Sequence, residues 1–102
     1  MTQNFVHYKI LQKRIDSETY RSDTSTLLAY DQNKKIFLFR ALNSNYFVQN
    51  DNEDSILVLD IATAEEMWDA LPAKNVTNIV AAFPKYRGGI GIDTYTNLYD
   101  DS

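Results

Sequence analysis

The sequence predicts an α+β domain: an antiparallel sheet of four or five strands in meander order, with one or two short helices packed on one face. Three observations predict it. Ile56, Leu57, Val58 and Leu59 form an apolar run that leads straight into an amphipathic segment stopped by Pro72. Upstream, segments rich in β-branched and aromatic residues alternate with short polar turn clusters. Downstream, Val76, Ile79, Val80 and Phe83 repeat at helical spacing up to Pro84.

Residues 5–15 fit two patterns. Val6, Tyr8 and Ile10 alternate with His7 and Lys9 as in a strand, while Phe5, Tyr8, Leu11 and Ile15 fit a helical stripe; strand is the preferred reading. Residues 24–30 and 36–42 read as the arms of a β-hairpin, because 31–35 is a polar connection of hairpin length. Asn43, Ser44 and Asn45 form a turn cluster before Tyr46, Phe47 and Val48, which add a further antiparallel strand. The polar loop 50–54 then precedes the strand at 56–59.

Thr63 stands three residues before Glu66, the spacing of a capping box, so the helix is expected to begin at Ala64. Ala64, Met67, Trp68 and Leu71 share one stripe, and Glu65, Glu66 and Asp69 lie off it. Pro72 disfavours helical geometry at Leu71 and ends the helix after about two turns, a length that survives only if the stripe docks on the sheet. A second short helix is expected over 76–83, capped by Asn75 or Thr77, with an edge strand over 76–82 as the alternative. The three glycines and the last tyrosines fall in 87–102, which reads as a loop and weakly ordered tail.

A chain of 102 residues, 44% apolar and 13% aromatic, is read as a single folded domain, 1–102, rather than a disordered one. It has no cysteine, which removes disulfides and thiolate metal sites and favours the cytoplasm as location. The N-terminal residues lack the apolar core of a signal peptide, and no apolar run reaches membrane-spanning length. Net charge is −4, unevenly spread. Seven bases and four acids fall in 1–40; three bases and ten acids fall in 41–102. Between Asp51 and Asp69 lie seven acids and no base.

No segment carries a specific catalytic signature. His7 is the sole histidine, so a His-dependent triad or a zinc site lacks partners of its own kind. The cluster Asn50, Asp51, Asn52, Glu53 and Asp54 has calcium-binding residue types but lacks the sixth-position glycine and the distal Glu, Ile56 standing where the glycine belongs. Gly88, Gly89 and Gly91 are not followed by the Lys-Ser/Thr of a phosphate loop. Asn75 and Thr77 match a glycosylation pattern without a secretion signal. Glu65 and Asp69 share an exposed helix face, where nothing separates their pKa values for acid–base work. Lys9, Lys13, Arg14 and Arg21 interleave with Tyr8 and Tyr20, the raw material of a nucleic-acid surface, but the acidic second half opposes such binding.

These readings point to a non-enzymatic protein-binding module without cofactor or metal. Its expected contact residues are Asp51, Glu53, Asp54, Glu65, Glu66 and Asp69, and its expected partner is another protein with a basic patch, such as the nucleic-acid groove of a nuclease. Immunity proteins and phage-encoded inhibitors share that physical logic. The alternatives are a homo-oligomeric structural or regulatory domain, a homodimer included, and a nucleic-acid binder using the basic first half.

Overall fold

A computed structural model describes residues 6–84; the glycine-containing tail and its phosphate-loop and flexibility readings lie outside them. Strand β1 (Gln12–Ile15) pairs with β2 (Glu18–Arg21) as a separate two-stranded hairpin. A 3-10 turn at Ser22–Thr24 leads into β3 (Thr26–Asp31), followed by β4 (Ile36–Arg40), β5 (Tyr46–Asn50) and β6 (Ser55–Leu59). These four form the expected antiparallel meander. After helix α1 (Ile61–Ala70), β7 (Ala73–Lys74) joins β3, giving the order β6-β5-β4-β3-β7, and a single helical turn, α2 (Ile79–Ala82), follows. The α+β class, the antiparallel sheet and the docking of helices on one of its faces are as the sequence predicts. No helix among the described residues is long and apolar enough to cross a membrane.

The strand connections use left-handed backbone without glycine. Lys35 and Asp54 close the β3–β4 and β5–β6 turns at φ 59° and 50°, and Ser44 takes φ 73° between β4 and β5. Asp31 and Asn50 side chains accept the backbone N–H groups of Lys34 and Asn52, which holds two of these turns locally.

Helix α1 starts three residues earlier than the capping-box reading places it. Its cap is Asp60, whose Oδ1 accepts the Thr63 N–H at 2.7 Å. A carboxylate is a stronger acceptor at a helix N-terminus than a hydroxyl, and the earlier start adds a turn. The end is as expected: Leu71 is extended (ψ 138°) ahead of Pro72. The second helix is shorter than expected and is capped by Asn78, not Asn75 or Thr77. The Asn75 and Val76 N–H groups both donate to the Leu28 carbonyl, and the Val76 carbonyl accepts the Trp68 indole N–H at 3.0 Å. A backbone committed to β3 and Trp68 cannot begin a helix, and the strand beside β3 is β7 rather than 76–82.

Both sheet faces are covered. On one, Ala64 and Trp68 of α1 and Ala82 and Phe83 pack with Leu28, Ala29, Leu38 and Tyr46. A register shift between Leu27 and Ala29 turns both Leu28 and Ala29 toward this face. On the other, Phe37, Phe39, Phe47, Leu27 and Ile56 are buried, with Phe39 and Phe47 stacked at 5.1 Å between ring centres. Val6, Tyr8, Leu11, Ile15 and Tyr20 cover them. Of the expected strand at 5–15, Gln12–Ile15 alone is strand among the described residues. Residues 6–11 are irregular because side chains take their backbone groups: Asp51 accepts the Lys9 N–H and Ser22 Oγ accepts the Leu11 N–H, each at 2.8 Å.

Candidate protein-binding surface

The acidic residues expected to form one belt divide into two groups of different character. In the β5–β6 turn, Asp51 is only 5% exposed. Its carboxylate accepts the Lys9 N–H and the Gln49 amide, at 2.8 and 2.7 Å. Asp51 is therefore an internal fastening, its carboxylate turned inward from the surface on which the sequence reading places it. Asp54 is exposed but paired with the Lys9 ammonium at 2.7 Å. That bond, the largest influence, holds the Lys9 pKa above its ordinary value. Of this group Glu53 alone is exposed with no ion pair.

The helix group differs. Glu66 and Asp69 are exposed and Glu65 is half-buried on α1. Among the described residues no lysine or arginine is paired with any of the three. The nearest cation in sequence, Lys74, is otherwise engaged: its ammonium donates to the Asp69 and Leu71 carbonyls and lies 5.2 Å from the centre of the Trp68 ring. It thereby satisfies carbonyls at the α1 C-terminus. Asp60, at the opposite end, is held below the ordinary carboxylate range by the Thr63 N–H first and the Thr63 hydroxyl second.

Beside this acidic face runs a groove of about 450 Å³ between α1 and the β3–β4 turn. Ile36, Met67, Ala70 and Leu71 supply its apolar lining, and Asp31, Glu66 and Lys34 its charge. The stripe of α1 explains it. Ala64 and Trp68 are buried, whereas Met67 and Leu71 are only half-buried, so the lower edge of the stripe remains open toward the hairpin. Met67 and Leu71 were legible as stripe residues; Asp31, Lys34 and Ile36 were not, since nothing local tells a hairpin that a helix will lie alongside. The β5–β6 turn reaches the same end of the sheet, with the Asn52 amide donating to the Lys34 carbonyl. Lys34 thus stands between the two acidic groups.

Two other clefts are less suited to a charged partner. One, of about 430 Å³, is lined by Arg40, Asn43, Ser44, Asn45, Tyr46, Leu59, Asp60, Ile61 and Pro84. Its Arg40 guanidinium is spent on the Ala81 and Ala82 carbonyls, and burial raises the Tyr46 pKa. The other, of about 370 Å³, contains His7 with Tyr8, Lys9, Lys35, Asp51 and Asn52, and no serine or threonine lines it. No group of three or more His, Asp or Glu among the described residues is placed to hold a metal ion. In the basic first half, Arg21 is bound through two nitrogens to Asp23, at 2.9 and 2.7 Å. With Lys9 on Asp54, part of the charge a phosphate backbone would need is already neutralised.

No protein-family model, no curated protein and no solved structure matches this chain.

Proposed function

We propose that the protein is a non-enzymatic binding module that receives a basic, partly apolar segment of another protein on the outer face of α1 and in the groove beside it. The observation that carries the reading is the row Glu65, Glu66 and Asp69, which has no paired lysine or arginine among the described residues and borders a partly apolar groove. Unpaired carboxylates cost little in water and speed the approach of a cationic partner. The half-buried Met67, Leu71 and Ile36 add the apolar contact that turns attraction into residence. A partner whose own function depends on a basic patch, such as a nucleic-acid groove, would be blocked by this occupancy, which makes inhibition the expected consequence.

The test is affinity capture with the wild-type chain beside the Glu66→Lys, Asp69→Lys double variant. Both substituted side chains are exposed, so far-UV dichroism and Trp68 emission should be unchanged. A basic protein retained by wild type, released by salt and lost with the double variant supports the reading. Capture indifferent to both salt and charge reversal removes it.

A further inference from the structure

We infer that the free edge of β6 joins two copies of this chain, strand to strand, across a two-fold axis at Leu57. Strand β6 ends the five-stranded sheet and pairs only with β5 among the described residues. Its five residues, Ser55 to Leu59, include no charge, proline or glycine, and its pairing with β5 runs without a bulge. Those are the devices by which proteins keep an edge from pairing. The opposite edge is protected by its shortness and by a charge: β7 is two residues long and carries Lys74.

The edge is also self-complementary. An antiparallel pair centred on Leu57 sets Leu57 against its own copy, Ile56 against Val58, and Ser55 against Leu59. Pleat alternation then keeps Leu57 on the α1 side, where it is 62% exposed in a single chain. Ile56 and Val58 extend the aromatic core of the other face. The same register brings Asp60 of one copy to Asp54 of the other, where the Lys9 ammonium already bonded to Asp54 offsets one of the two carboxylates. A second copy is thus an occupant that the uncharged, apolar centre of the edge matches, with Lys9 reducing the repulsion at each end. Five residues a side are well short of the roughly 20–30 of a standard interface, so the dimer should be weak and reversible.

The experiment takes the full chain through sedimentation velocity and amide hydrogen exchange from roughly 1 μM to 1 mM. Mass should rise toward twice the monomer, with the outward β6 amides slowing about tenfold or more only at the upper end. Leu57→Lys should hold the mass at monomer without changing the melting temperature, and Lys9→Ala should weaken association several-fold. A monomer at every concentration would overturn the inference. So would a dimer that Leu57→Lys leaves intact, or β6 amides already slow in the dilute monomer, which would mean that the chain covers its own edge. Partner capture by the Leu57→Lys variant should be retained, which separates this result from a failure of the acidic-face reading.

Discussion

Lys9 and Asp51 stand 42 positions apart, yet the backbone N–H of the first lies 2.8 Å from the carboxylate of the second. Gln49, fully buried, donates its amide both to Asp51 and to the Lys9 carbonyl, each at 2.7 Å. Ser22 repeats the device further along, its hydroxyl taking the Leu11 N–H and donating to the Lys9 carbonyl. The irregular segment 6–11 is thus held on the aromatic face by buried side chains instead of a sheet ladder, which satisfies backbone groups that would otherwise be costly to desolvate.

Removing that fastening should be expensive. Asp51→Ala leaves the Lys9 N–H and the Gln49 amide short of an acceptor, at an expected cost of about 1–3 kcal/mol. Glu53→Ala, two residues away and exposed, should stay within about 0.5 kcal/mol. Urea unfolding of the two variants checks the contrast, and equal effects would show that Asp51 has no internal role.

Trp68 is the largest side chain of the α1 stripe and the only tryptophan. It meets Phe83 edge-on at 6.4 Å and donates to the Val76 carbonyl. Trp68→Ala should cost about 3–5 kcal/mol. Trp68→Phe, which keeps the apolar contact and loses the hydrogen bond, should cost about 1–2 kcal/mol. Denaturant melts followed by far-UV dichroism give both values.

Asp60 should make the domain acid-sensitive. Its folded pKa lies below the ordinary value, so its stabilisation of α1 is complete above the unfolded carboxylate range and is lost as pH falls through the folded value. Melting temperature should therefore fall between about pH 5 and pH 2, and more gently in Asp60→Asn, which keeps a capping oxygen without the charge. Identical slopes would remove Asp60 as a contributor.

The β1–β2 turn offers a gain. Asp16 and Ser17 both take positive φ, 53° and 69°, with Ile15 opposite Glu18. This is a two-residue turn of the kind that Asn-Gly fits best. Replacing the pair by Asn-Gly should raise stability by roughly 1 kcal/mol, read as a higher melting temperature.

That turn also marks where sequence reasoning stopped. With Asp-Ser instead of Asn-Gly, and with strands as polar as Gln12–Ile15 and Glu18–Arg21, neither turn chemistry nor alternation announced the hairpin. In the acidic surface, Glu53 and Asp51 sit in one polar turn and look alike. Their difference comes from Lys9 and Gln49, which fold one carboxylate inward.

By itself the sequence determined the meander, the buried stripe of α1 and the halt at Pro72, because periodicity, turn residues and proline geometry act within about ten residues. It also placed Glu66 and Asp69 on the wet side of that helix. Tertiary structure decided the rest. It set the cover over the aromatic face, the inward turn of Asp51, the groove between α1 and the β3–β4 turn, and the shortening of α2 by contacts from Val76 to Leu28 and Trp68. Each depends on groups distant in sequence competing for the same face or the same hydrogen bond, and no local pattern encodes which of them wins.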